Sequence, residues 1–148
     1  MVIEINTSRF GPVTVDSEDL LQFPAGLLGM EECRQWVLLG DAQNSAVAWL
    51  QSVDKPRMAL AVVSPRRFVP DYRIRIARAE IEPLGLAATN SAEVLVIVGR
   101  NERGVTLNLK APLLINLETR RGRQVVTNGN LPVRYELKAG QIALKKSA

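Results

Sequence analysis

The residue types that carry most enzymatic chemistry are scarce in this chain. Its 148 residues include no histidine and a single cysteine, Cys33. That removes Ser-His-Asp and Cys-His nucleophilic catalysis, every histidine-containing zinc site and the Cys-x-x-Cys redox pair. Cys33, three residues from Trp36, reads as an ordinary thiol, and a lone cysteine suits a reducing compartment. Carboxylates can work in pairs, and Asp16, Glu18 and Asp19, or Glu31 and Glu32, are close in sequence. Acids in early loops of a β protein are nevertheless mostly solvated surface. Gly26-x-x-Gly29 and Gly99-x-x-x-x-Gly104 lack the lysine and the Ser/Thr of a phosphate loop. The sequence therefore predicts a non-enzymatic protein with no catalytic residue, cofactor, metal or small-molecule substrate.

Binding chemistry is better supplied. Arg66-Arg67, Arg73/Arg75/Arg78 and Arg120-Arg121/Arg123 could track phosphates, as single-strand-binding barrels do. A nucleic-acid-binding module is thus one reading, although such surfaces add stacking aromatics and this chain has seven in all, two of them tryptophans inside apolar strands. Polar residues within strands are a second signal. Gln51-Ser52 ends an apolar run, and Asn108 and Asn116 sit among leucines. A buried amide without partners costs about 1–3 kcal/mol, so each should be hydrogen-bonded. They either tie loops to the body of the fold or present donors and acceptors to a partner's backbone. A third signal is Phe68-Val69-Pro70-Asp71-Tyr72, with two aromatics around a proline, which reads either as an exposed anchor or as a loop closing one end of a barrel.

The charge is unevenly distributed. The net value is +4 and the pI about 9.6. Residues 1–54 hold eight acids and two bases, for −6, whereas residues 55–148 hold seventeen bases and seven acids, for +10. An acidic first third is followed by a basic remainder.

The elements that must position these groups are short. Val2–Ile5 and Val13–Val15 flank Gly11-Pro12 as a hairpin-like start. Asp19–Phe23, Gln35–Leu39, Ala46–Ser52, Met58–Val63, Val105–Leu109, Leu113–Leu117, Gln124–Thr127 and Leu131–Leu137 read as further strands between turn residues. Tyr72–Ile76 alternates arginine with isoleucine, the pattern of a half-buried strand. Val94–Val98 is apolar on both faces, the pattern of a central strand covered on each side. Only Ala79–Leu86 suits a helical turn or two. The fold class is all-β: a single β-barrel-like domain of about ten short strands over residues 1–139, with a basic tail, 140–148, expected to fray. A domain of this length buries roughly 68–70% of its unfolded surface and needs no disulfide or metal. The N-terminal residues lack the pattern of a targeting segment, and the longest central apolar run, Met58–Val63, is far below the ~20 residues of a membrane span. A cytoplasmic, soluble protein is expected.

Several blocks also carry a resemblance. Phe23-Pro24-x-Gly26-Leu27-Leu28-Gly29-Met30-Glu31 resembles the early signature of the flagellar assembly factor FliW family. In the family's order follow Leu50-Gln51-Ser52, Phe68–Tyr72, Thr106–Asn116 with its Ala111-Pro112, and Arg121-Gly122-Arg123-Gln124-Val125. Together they span Ile3 to Tyr135. Leu28 and Met30 stand where the family signature has a proline and an aromatic. The resemblance implies a cytosolic β-barrel-like protein without enzymatic activity. Its partners would be flagellin and the RNA-binding translational regulator CsrA, and capture of CsrA would relieve repression of flagellin mRNA. No direct nucleic-acid or membrane contact is implied. The resemblance further implies an acidic protein docking beside basic surfaces of CsrA. In this basic chain the acidic first third, especially Glu18, Asp19, Glu31 and Glu32, is the part that suits such a partner. Gln51, Ser52, Phe68, Asp71, Tyr72, Asn108 and Asn116 complete the candidate partner-binding set.

Overall fold

Turn chemistry and apolar alternation cut the chain into short strands, and the computed structural model describes them over residues 1–86 and 92–138. Strands β1 (Val2–Thr7) and β2 (Gly11–Asp16) form a separate antiparallel hairpin. A 3₁₀ turn, Ser17–Asp19, leads into the two-residue β3 (Leu21–Gln22). Next come β4 (Gln35–Gly40), β5 (Val47–Ser52) and β6 (Ala59–Val63). A second 3₁₀ turn spans Pro65–Arg67, and the single α-helical segment among the described residues is α1 (Arg78–Ile81), continued by a 3₁₀ turn at Glu82–Leu84. The chain then makes β7 (Glu93–Asn101), β8 (Gly104–Leu107), β9 (Leu113–Asn116), β10 (Arg121–Gln124) and β11 (Tyr135–Glu136).

Seven of these strands close into a barrel in the order β7-β6-β5-β4-β3-β10-β9, with β9 returning to β7. Every pairing in the ring is antiparallel except β3 with β10, a parallel contact through one residue pair, Gln22 opposite Arg121. Strand β7 is long enough to be shared. Its first residues, Glu93–Leu95, pair with β9, and its last, Val98–Asn101, pair with β8, which in turn carries β11.

Alternation along the strands separates an interior from three outer coverings. Inside the ring lie Leu21, Phe23, Trp36, Leu50, Val62, Leu113 and Ile115 with Cys33. Burying one such large apolar side chain contributes about 1.5–3 kcal/mol, which makes this interior the main source of stability. Outside, Ile5 and Val15 of the β1–β2 hairpin cover Val37. Strand β8 and the chain around Tyr72 cover Val47, Trp49, Val63 and Val96. The 3₁₀ turn at Leu84 covers Leu114 and Val125. The two-sided apolarity of Val94–Val98 follows: Leu95 and Ile97 face the interior while Val94, Val96 and Val98 face the coverings.

The structure differs from the sequence reading in several places, among them the strand expected at Asp19–Phe23, which is only Leu21–Gln22. Tyr72–Ile76 alternates as expected, with Arg73 and Arg75 exposed and Ile74 and Ile76 half-buried, but it forms no strand. Its isoleucines pack with Leu114 and Val125 on the outside of the barrel, and alternation records that burial without requiring a backbone ladder. The strand expected at Gln124–Thr127 is instead Arg121–Gln124, with the turn at Arg120 in the left-handed region (φ 57°), and Val125–Thr127 form no strand. Strand β11 occupies only Tyr135–Glu136 of the expected Leu131–Leu137. The expected frayed tail, 140–148, lies outside the described residues.

Candidate functional site

The acidic candidates occupy two separate loops. Glu18 and Asp19 form the exposed 3₁₀ turn between β2 and β3. Asp16 caps this turn by accepting from the Glu18 backbone N–H (3.1 Å), a bond that holds its carboxyl below the usual carboxylate range. Arg120 reaches across to the same turn, its Nη2 donating to the Asp19 carbonyl (2.8 Å). Glu31 and Glu32 are exposed in the loop between β3 and β4. Glu31 accepts from the Gly29 backbone N–H (2.7 Å), whereas Glu32 is ion-paired with Lys55 (2.7 Å), whose hydrogen bond keeps the Glu32 carboxyl low and raises the Lys55 ammonium. The pair is half-exposed and screened, so it contributes little to stability; its effect is to neutralise one of the two adjacent acids.

The loop that carries Glu31 is fixed by the motif before it. Phe23 is fully buried, and its ring lies so close to Gly122 that a Cβ there would clash with Cζ. Gly26 takes the left-handed conformation (φ 67°) against the Glu31 backbone, where a Cβ would meet atoms at 2.5 Å. Leu27 and Met30 form an isolated bridge, and Leu28 N–H donates to Gln124 Oε1 (2.9 Å), so the turn is bound to β10. Gln124 in turn donates through Nε2 to the Ala111 carbonyl (3.1 Å).

The polar candidates within strands hold loops. Ser52 is buried and its Oγ accepts from the backbone N–H of Asp54 (3.1 Å) and Lys55 (2.9 Å), shaping the β5–β6 turn. Gln51 is buried beside it and donates through Nε2 to the Ser52 and Pro56 carbonyls, leaving its Oε1 without a protein partner. Asn108 Oδ1 accepts from Ala111 N–H (3.1 Å). Asn116 donates to the Leu84 carbonyl (2.8 Å) and accepts from Glu118 N–H (3.0 Å), tying α1's continuation to the end of β9. Of the two roles open to these amides, the observed geometry is the loop-tying one.

The Phe68–Tyr72 segment corrects one expectation. Asp71 is exposed, but Phe68 is half-buried and Tyr72 only 4% exposed, so Tyr72 is not an exposed anchor. Its hydroxyl donates to the Leu109 carbonyl (2.8 Å), and burial pushes the phenol up to about 12. Arg66 closes the loop from outside, donating through Nε to the Tyr72 carbonyl (3.1 Å). A buried carbonyl between β8 and β9 needed a donor, and Tyr72 supplies it.

Two residues that shape these loops were not candidates from sequence. Lys55, which neutralises Glu32, has no local signal because it arrives from the β5–β6 turn. Gln124 lies within the Arg121–Val125 block, and the one available hint was a polar side chain in an otherwise regular strand. Among the described residues no three of His, Cys, Asp or Glu converge in a way that could hold a metal ion.

The class of protein defined here is a small seven-stranded closed β-barrel wrapped by a hairpin, a strand pair and a helical turn, with the acids Glu18, Asp19, Glu31 and Glu32 carried on exposed loops. A family model described as FliW protein matches residues 4–137. A flagellar assembly factor FliW from Bdellovibrio bacteriovorus is 40% identical over 133 residues, covering 88% of this chain and 76% of the relative. One from Caldanaerobacter subterraneus is 35% identical over 144 residues, covering 92% and 96%. The crystal structure of a flagellar assembly factor FliW superposes with a TM-score of 0.84 at 28% identity, covering 95% of this chain and 100% of that one. This chain belongs to the FliW protein family.

Proposed function

We propose that this chain is a non-enzymatic cytoplasmic flagellar assembly factor that binds flagellin and CsrA and, by capturing CsrA, relieves repression of flagellin translation. The observation that carries this reading is family membership across nearly the whole chain, residues 4–137. Two further features support it. No helix among the described residues is long and apolar enough to cross a membrane. The acids Glu18, Asp19 and Glu31 face solvent, where opposite potentials raise association rates with a basic partner.

The alternative, direct nucleic-acid binding through the arginine clusters, is disfavoured by the aromatics. Phe23, Trp36, Trp49 and Tyr72 are buried and Phe10, Phe68 and Tyr135 half-buried, which leaves no exposed ring on which a base could stack. Pull-down with purified CsrA and purified flagellin, each with and without RNA, tests the two readings together. Retention of both proteins without RNA is expected. Failure to retain either one, with RNA retained in a steeply salt-dependent way, would favour the alternative.

A further inference from the structure

Two blocks far apart in the sequence, Pro24–Ala25 and Arg121–Arg123, meet at β10 and with Pro83 and Leu84 build a pocket of about 290 Å³; Glu18, Asp19, Glu31 and Glu32 do not line it. Pro24 and Ala25 form one wall, Pro83 and Leu84 the other, and Gly122 contributes backbone alone. The walls are held by contacts already described. Phe23 fills the space behind Gly122, and Asn116 fixes the Leu84 carbonyl. The site is therefore preformed, and little ordering is needed when a ligand enters.

Its rim is cationic. Arg121 and Arg123 both line the pocket. Arg123 pairs with Glu80 (3.0 Å), whereas Arg121 is exposed and makes no ion pair among the described residues, so the rim keeps one uncompensated positive charge. A largely apolar cavity with ample room for one aliphatic side chain, bordered by guanidinium groups that bind carboxylates in bidentate fashion, selects a specific chemistry.

We propose that this pocket docks an extended acidic segment of a partner polypeptide, seating one leucine-sized side chain between Pro24 and Leu84 with flanking carboxylates on Arg121 and Arg123. The inference does not depend on which protein meets the acidic loops. It assigns the basic remainder of the chain a partner of opposite charge, at a pocket that Glu31 and Glu32 do not line.

The test uses the full chain, isotopically labelled, titrated with the peptide Ac-Glu-Glu-Leu-Glu-Glu-NH₂ and followed by amide chemical shifts. Saturable shifts centred on Ala25, Leu84 and Gly122 are expected, weakening as salt is raised. Replacing the peptide's leucine by serine should weaken binding about tenfold, and Arg121→Glu should do the same. Ala25→Trp, a change at an exposed position that fills the cavity, should abolish the localised shifts while leaving amides elsewhere unchanged. The proposal is overturned by the absence of saturable binding up to about 5 mM peptide, by equal affinity for the serine peptide, or by shifts spread over every arginine-bearing surface. It is likewise overturned if a single-stranded oligothymidylate gives the same localised shifts, which would make the site a phosphate-binding one.

Discussion

The loop between β3 and β4 and the loop between β6 and α1 carry equally dense motifs, yet they resolve in opposite senses. In the first, Phe23 goes inward and the turn beyond it, held by Gly26 and Gln124, keeps Glu31 and Glu32 in solvent. In the second, the aromatics themselves turn in: Tyr72 gives its hydroxyl to Leu109, and the exposed charges are Asp71 and the arginines on either side. The difference lies in backbone accounting. The carbonyl of Leu109 would be a buried orphan without Tyr72, whereas the turn at Gly26–Met30 lies at the surface and is closed by its own carbonyls, by Gln124 and by one oxygen of the exposed Glu31 carboxylate.

The sharpest way to break this contrast is to remove the inward group of each loop. Phe23→Ala should cost about 3–5 kcal/mol in chemical denaturation, since it empties a fully buried site. Gly122→Ala should also destabilise, by about 1–3 kcal/mol, because the new Cβ meets the Phe23 ring. Combining Gly122→Ala with Phe23→Leu should cost less than the two single changes added together; strict additivity would show that the ring and the glycine are not in contact.

Tyr72 gives the next largest effect. Tyr72→Ala should lower stability by about 3–5 kcal/mol while leaving affinity for CsrA and flagellin unchanged, and loss of partner affinity at full stability would return the loop to the binding surface. Tyr72→Phe should cost about 1–3 kcal/mol through the unpaired Leu109 carbonyl. A titration separates the same two roles. The phenol titrates near 12 in the fold against 10.0 for a free tyrosine, so its neutral form is favoured. That contribution is complete below pH 10 and disappears as the pH rises through 12, and Tyr72→Phe should flatten this stretch of the stability profile.

The acidic loop should respond most weakly, and in rate more than in stability. Reversing Glu31 and Glu32 to lysine should slow association with CsrA about three- to tenfold at low salt and flatten its salt dependence. Lys55→Ala should shift the rate the opposite way by unmasking Glu32. Stopped-flow association across a salt series reads both, and rates indifferent to either change would remove Glu31 and Glu32 from the interface.

Most of the strands and the two-sided coverage of β7 were legible because period-2 alternation and turn residues act locally. The seam between β3 and β10 was not. Arg120-Arg121-Gly122-Arg123 reads as a turn from composition, yet Gly122 is a strand residue opposite Ile115, and the glycine there makes room for the ring of Phe23, about a hundred positions earlier. Tyr72–Ile76 shows the converse: its alternation is real, but the surface it covers is made of side chains and offers no ladder to join. For the candidate site, the positions of the acids were readable, while their pairing was not. Glu32 looked as free as Glu31, and its neutralising lysine comes from the far end of another hairpin.

The shared edge of β7 decides the order in which this molecule can come apart. The hoop of seven strands is completed by Glu93–Leu95 on β9, and the flap of β8 and β11 hangs from Val98–Asn101 further along the same strand. The flap can therefore peel away without cutting the hoop. Because Val96 is packed under that flap, against Leu107 of β8, such peeling wets one side of β7 while Leu95 stays dry on the other. A single stave thus belongs to two shells, and the outer one can be shed first.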